Sequence, residues 1–363
     1  MKKKILFVMH ELNLGGAERV IANIVNNFDS ELYDINLCLF KKKGDLISEI
    51  KDGIEIHDLN AKRVITSFFS YYKLILKIKP DIVFTSITHV NLLTSLLIPF
   101  IKLNICFITR EVNNPSIRSS FKFTSKVMDS FYRYSISNFN YIIAQSNFMK
   151  SDIINHYKID ENRIHAMPNP LDINSIKSRL LEQNDDICFD KNKKNLLALG
   201  GLRKQKGFEK LIKIMKFLDE SYQLTIIGEG PERGLLEDLI KSHKLEKKVR
   251  LLGKKSNPYI YMKNCDVFLI SSNYEGFPNV IIEANVCGKF VIANNCPGIN
   301  NEIIKSNVNG VILDFMNYEV VSKYIKDNFL NLSATVIPIE ITEKYDARNI
   351  ANRYHNLIKK YFN

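Results

Sequence analysis

Glu275 and Glu283 stand eight positions apart in the string SSNYEGFPNVIIEANVCG, residues 271–288. Paired carboxylates can perform acid–base chemistry, hold a metal, grip a polar ligand, or only decorate the start of a helix. Between them lies a turn-forming cluster, Gly276, Phe277, Pro278 and Asn279, followed by a short apolar run. The string follows CDVFLIS, which reads as a strand, so Pro278 and Asn279 fall where a helix begins and Glu283 one turn later. Backbone N–H groups at a helix start are unpaired and carry partial positive charge, which suits a phosphate or sugar hydroxyls. Against this stands the plain reading, in which Glu283 complements the helix dipole and Glu275 is a solvated loop residue.

Other strand-to-helix loops carry similar potential. VMHELNLGGAERVIANIV sets Gly15-Gly16 after a first strand and before a helix, where a backbone can approach an anion closely. TIIGEGPERGLLEDLI repeats the arrangement with Gly228-Glu229-Gly230, and Pro231 suits a first helical position. Neither loop has the GxGxxG spacing of a dinucleotide fingerprint. LALGGLRKQKGFEKLI places Arg203, Lys204 and Lys206 directly after a strand, where cations can neutralise a diphosphate leaving group. His89, in PDIVFTSITHVNLLTSLL, follows a fourth strand and opens a helix.

Several chemistries lack their residues. There is no HExxH, GxSxG or GxxxxGK[ST], and no Asp-x-Asp to bridge a metal to a nucleotide. A glycosidase needs two carboxylates flanking a bond, but it has no use for phosphate loops in two domains.

The elements that must position these residues are legible in outline. At 363 residues, 45% hydrophobic and 25% charged, the chain is long enough for two globular cores. Its net charge of +12 favours an anionic partner. The six cysteines (Cys38, Cys106, Cys188, Cys265, Cys287 and Cys296) show no paired spacing, so reduced thiols and a cytosolic setting are expected. MKKKILFVMHEL reads as a first buried strand, and 87–101 is too short and too interrupted to cross a bilayer. Strands are expected at 4–9, 35–40, 54–58, 81–86, 105–110 and 141–144. A second set falls at 196–200, 223–228, 249–252, 267–271, 290–293 and 310–313. Continuous apolar runs alternating with helical patterns predict parallel sheets covered on both faces. The polar stretch after MPNPLD separates the sets, giving two doubly wound α/β domains with ligands expected in the cleft between them.

With these residues in view, the chain resembles the retaining GT4 glycosyltransferases of the GT-B fold. Glutamate–seven residues–glutamate within EGFPNVIIEA resembles that family's donor-site motif. GGAERV is similar to its N-terminal loop, MPNPLD to its interdomain signature, QKGFEKLI to its basic loop and IIGEGPER to its nucleotide-side loop. The five motifs stand in the family's order across nearly the whole chain. One departure is present: aligning on Lys206-Gly207 puts Gly201 where the family's arginine stands, so Arg203 or Lys204 is the expected substitute.

The resemblance implies an N-terminal domain over 1–170 with helix 345–363 packing back on it, a linker at 171–189, and a donor-binding domain over 190–344. It implies transfer of a hexose or N-acetylhexosamine from a nucleotide-diphospho-sugar, expected to be a UDP-sugar, to a saccharide or lipid-linked acceptor in surface polysaccharide or glycan synthesis. Glu283 would take the ribose hydroxyls, and Glu275 the hydroxyls of the transferred sugar. Arg203 and Lys206 would stabilise the diphosphate, and His89 would contact donor sugar or acceptor. Gly15, Gly16, Gly201, Glu229, Gly276, Phe277, Pro278, Asn279 and Val280 would line the donor. The leaving phosphate can itself take the acceptor proton, so no metal and no other cofactor is expected. A nucleotide-sugar epimerase of similar architecture and a basic nucleic-acid-binding protein are the alternatives, and no groove-reading helix or aromatic RNA motif supports the second.

The acceptor side is less legible. AKRVITSFFSYYKLILKIKP sets Arg63, Thr66, Ser70, Lys73 and Lys77 on one helical stripe and Phe68, Phe69, Tyr72 and Leu76 opposite. The expected apolar face packs on the N-terminal sheet, and the basic stripe is available to an anionic membrane surface. SIRSSFKFTSKVMDSFYRYSISNF is likewise basic and aromatic. The expected location is the cytoplasm, with peripheral attachment to the inner face of the cell membrane.

Overall fold

The computed structural model describes residues 2–13, 15–116, 125–182 and 189–362. Cys188 and part of the SIRSSFKFTSKV stretch lie outside the described residues. The chain divides into two units, Met1–Leu171 with Tyr345–Asn363, and Asp172–Lys344.

The first unit is built on seven parallel strands: β1 (Lys3–Met9), β2 (Tyr33–Leu39), β3 (Glu55–Asp58), β4 (Ile82–Ser86), β5 (Cys106–Arg110), β6 (Tyr141–Ala144) and β7 (Ile164–Ala166). Their order is β3-β2-β1-β4-β5-β6-β7. Ile5 through Met9 and Ile82 through Ser86 are buried throughout, as strands covered on both faces must be. One face is covered by the helices Gly16–Asn27 and Ala347–Phe362. They direct Val20, Ile21, Ile24 and Val25, and Ile350, Tyr354, Leu357 and Ile358, into one core with β1 and β4. The helices Phe68–Ile78 and Thr88–Leu97 cover the other face.

The second unit has six parallel strands: β8 (Lys194–Leu199), β9 (Tyr222–Ile227), β10 (Val249–Leu251), β11 (Val267–Ile270), β12 (Val291–Asn294) and β13 (Gly310–Leu313). They run β10-β9-β8-β11-β12-β13. In each sheet the strand order reverses between the first and fourth strands, β1/β4 and β8/β11. Ligands in open α/β sheets bind outside the carboxyl ends of strands at such a reversal. Gly15-Gly16 open the helix that follows β1, and His89 lies in the first turn of the helix that follows β4; the segments after β8 and β11 carry Lys206 and Glu275.

Three expectations need correction. β7 was not foreseen: it is only three residues, Ile-His-Ala, too short for an apolar run to stand out. The span 171–189 is not linker throughout, because Ile173–Arg179 is a helix capped by the Asp172 side chain, buries Ile173 and Ile176, and packs on the helices Tyr259–Asn264 and Asn279–Val286. In the helix Phe68–Ile78 the buried residues are Tyr71, Ile75 and Ile78, whereas Phe69 and Leu76 face outward. Its apolar residues surround the axis, so spacing alone could not fix which face would turn inward.

The five described cysteines are buried and free. Among the described residues, no helix is long and apolar enough to cross a membrane.

Candidate functional site

In the second unit the segment after β11 and the basic loop after β8 are laced together. Ser271 Oγ donates to the carbonyl of Lys206 at 2.8 Å, and the Asn273 side-chain amide to that of Lys204 at 2.6 Å. Asn273 N donates to Gln205 O at 2.7 Å, and Gln205 Nε2 returns a bond to Tyr274 O at 3.1 Å. Beneath them the Lys210 ammonium is buried, donating to Ser271 O at 3.2 Å and Asn273 Oδ1 at 2.6 Å; its desolvation pushes its pKa down. Gly207 joins this lattice at a positive φ of 59°, where a Cβ would come within 2.5 Å of Ser271 O. Only glycine lets the two loops lie this close.

That scaffold holds the central pair. Lys206 Nζ lies 2.6 Å from Glu275 Oε1, and Ser272 Oγ donates to the same oxygen at 2.6 Å. Glu275 is 5% exposed, so its charge is compensated by a cation and a hydroxyl and not by water. Its backbone is pinned as well: Glu275 N donates to Pro297 O at 2.9 Å, and Gly298 packs on the Glu275 carbonyl. Asn294, at the end of β12, donates to Ser272 O at 2.8 Å and accepts from Phe315 N at 3.0 Å. The result is a rigid carboxylate–ammonium pair at the carboxyl edge of the sheet.

The residues that follow build the helix start anticipated from the sequence. Asn279–Val286 is helical with Pro278 at its N-cap position, and Glu283 is partly buried in its second turn. Gly276, Phe277 and Val280 are partly buried around it. The Asn279 N–H donates to Phe277 O at 3.0 Å, closing the turn.

Arg203 is exposed, and its side chain folds over Gly201, with Nε 3.8 Å from where a Gly201 Cβ would stand. The displaced arginine thereby returns its guanidinium to the neighbourhood of position 201. Arg233 Nη1 bonds the Glu229 carboxylate at 2.6 Å, while the Glu229 carbonyl accepts from Leu202 N at 3.0 Å and so ties the β9 loop to the β8 loop.

In the first unit Gly15 is the N-cap of Gly16–Asn27, and the Glu18 carboxylate curls so close that a Cβ on Gly15 would meet it at 2.1 Å. A Cβ on Gly16 would meet nothing within 4 Å. His89, in the first turn of Thr88–Leu97, meets His10 edge to face at 5.2 Å. Desolvation by the surrounding protein and then the neighbouring His10 hold the His89 pKa below its ordinary 6.5. The unfolded chain therefore accepts a proton that the fold rejects until lower pH, so stability present above 6.5 is lost as pH falls below it. His89→Gln is expected to flatten this loss in denaturant titrations run between about pH 7 and 5. An acid limb identical to that of the parent protein would refute the assignment.

Elsewhere in the first unit, a buried polar cluster went unforeseen. Arg110, at the end of β5, is fully buried and donates to Asn169 Oδ1, which gives the MPNP segment a structural purpose. The Glu111 carboxylate accepts from Tyr132 at 2.5 Å and from Asn91 at 3.3 Å, and its carbonyl accepts from Gln145 at 2.8 Å. In the second unit the missed residues are Ser272, Lys210, Asn294 and Gly298. Ser272 stood inside the string SSNYEG; the others act from distant positions that spacing cannot connect.

The fold is thus two Rossmann-like parallel sheets, the second bearing a compensated carboxylate–lysine pair beside a helix start at its strand-order reversal. Two family models match the chain, "Glycosyltransferase Family 4" over residues 14–175 and "Glycosyl transferases group 1" over 182–334. The chain belongs to the glycosyltransferases. It is 29% identical over 296 residues, 78% of each chain, to the N-acetylgalactosamine-N,N'-diacetylbacillosaminyl-diphospho-undecaprenol 4-alpha-N-acetylgalactosaminyltransferase of Campylobacter jejuni. An uncharacterised glycosyltransferase of Methanocaldococcus jannaschii, MJ1059, is 30% identical over 240 residues, which span 61% of this chain and 57% of that relative. Among solved structures, HepE of Anabaena in complex with UDP and glucose superposes with a TM-score of 0.80 at 18% identity, covering 99% of this chain and 100% of that one.

Proposed function

We propose that this glycosyltransferase moves a hexose or N-acetylhexosamine, with retention of configuration, from a UDP-sugar to a lipid-linked saccharide in the assembly of a surface polysaccharide or glycan. The observation that carries the reading is the Lys206–Glu275–Ser272 group at the reversal of the second sheet. A buried carboxylate held by an ammonium is suited to accept sugar hydroxyls, and the same ammonium is suited to a diphosphate. The Campylobacter relative is named for an undecaprenol-linked acceptor, and the HepE structure is a complex with UDP and glucose; both support the donor and acceptor classes.

In this reading Glu275 holds the transferred sugar near its anomeric carbon, and Glu283 accepts from the ribose hydroxyls. Lys206 and Arg203 oppose the charge that builds on the departing diphosphate. His89 contacts donor sugar or acceptor. As the anomeric C–O bond breaks, the acceptor hydroxyl attacks from the same face, and the leaving phosphate oxygen takes its proton. Fixed cations supply the stabilisation, so no metal is required. The work is done at the inner face of the membrane, where a lipid-linked acceptor is presented.

The test is a panel of UDP-sugars with lipid-linked saccharide acceptors, reading UDP release, product mass and anomeric configuration. Acceptor-dependent UDP release with a retained anomeric centre is expected. Acceptor-independent formation of an epimerised sugar nucleotide would overturn the proposal. Glu283→Ala is expected to weaken donor binding about 10- to 100-fold, as loss of charged hydrogen bonds does, with turnover at saturating donor much less affected. Calorimetric titration with UDP measures the first effect, and unchanged affinity would remove Glu283 from the ribose site.

A further inference from the structure

The outward face of Phe68–Ile78 carries a patch that a water-soluble surface does not need. Phe69 is 74% exposed, Ile65 in the preceding turn 64%, and Phe100 61%. The Phe68 ring stands edge-on to both Phe69 and Phe100, at 5.5 and 6.1 Å, so the rings form one contiguous apolar surface. Around it Lys62, Arg63, Lys73 and Lys77 are exposed, and no aspartate or glutamate occurs between Asp58 and Asp81. The second unit also exposes apolar side chains, at Val320, Leu330 and Ile339, but these alternate with Glu319, Asp327 and Glu340. The first patch joins large apolar side chains to positive charge in a segment without acidic residues, the combination that an anionic bilayer surface complements.

We propose that this face docks on anionic lipid, with Ile65, Phe69 and Phe100 entering below the phosphates and the four cations pairing with them. The assignment deepens the lipid-linked acceptor reading, on which it rests for its purpose, by naming the surface that meets the membrane.

The chain contains no tryptophan, so Phe69→Trp installs a single fluorescent reporter. With vesicles of mixed phosphatidylglycerol and phosphatidylcholine its emission is expected to shift to the blue and to be quenched by lipids brominated on the acyl chain. Pure phosphatidylcholine vesicles are expected to produce neither change. Phe69→Ser combined with Phe100→Ser should reduce co-sedimentation of the full chain with the mixed vesicles at least about tenfold. Both residues are exposed, and Ile65→Ser provides a second variant should the double one misfold. Turnover on a soluble saccharide acceptor should be unchanged in all of them, which separates failure of docking from failure of the transferase reading. Wild-type protein that ignores anionic vesicles at low salt overturns the proposal. So does binding that the serine substitutions leave intact, because charge alone would then explain it.

Discussion

Lys206→Ala is expected to lower turnover by about 10²- to 10³-fold, the usual consequence of removing one fixed group aimed at developing negative charge. Its Nζ already lies 2.6 Å from Glu275 Oε1, and its stem runs across Gly200, whose Cβ would meet the lysine chain at 3.3 Å. The ammonium is therefore placed before any donor arrives, and little reorganisation is needed when the diphosphate departs. Ground-state donor affinity should change far less than turnover, because charge on the leaving oxygen grows only as the glycosidic bond breaks. Lys206→Arg should recover part of the rate, since it keeps the charge but not the point-like geometry. Initial rates at saturating donor, with affinity measured separately by calorimetry, divide the two effects. A variant that binds donor weakly but turns over normally would make Lys206 a binding residue only.

The sequence revealed most of the frame because buried parallel strands must be apolar on both faces. VFLI and VIAN identify themselves in this way, whereas the three-residue β7 does not. The glutamate pair was legible because its residues are close in sequence and follow a strand. What surrounds Glu275 was not. Lys210 lies 61 positions from the Ser271 carbonyl it bonds, and on the helix Phe208–Met215 its sequence resembles that of an ordinary surface lysine. Phe69 was misread for a different reason. In FFSYYKLILKI apolar residues encircle the helix, and the phase is settled by how Tyr71, Ile75 and Ile78 fit the core of the first sheet. Tertiary fit chose among faces that local periodicity left equivalent.

Gly298→Ala tests the most distant of these dependencies. Gly298 adopts a φ of +90°, and a Cβ built there would stand 1.9 Å from the carbonyl oxygen and 2.6 Å from the carbonyl carbon of Glu275. Both partners are backbone, so no side chain can rotate away; relief requires moving the Glu275 main chain and with it the carboxylate that meets Lys206 and Ser272. A loss of roughly 2–4 kcal/mol in stability is expected from strain and clash together, or on the order of 5–15 °C in Tm. Gly288 supplies the control, since it has a φ of +74° in the same unit and nothing within 4 Å of its Cβ. Gly288→Ala should therefore show the strain alone, at roughly 1 kcal/mol, with turnover preserved. Measured well below either melting point, Gly298→Ala should also lose at least about tenfold in turnover, because a displacement of under an ångström suffices to misalign a positioning carboxylate. If the two alanine variants prove equally stable and equally active, the Glu275 carbonyl does not depend on this close approach, and the carboxylate must be held by Lys206 and Ser272 without help from the backbone behind it.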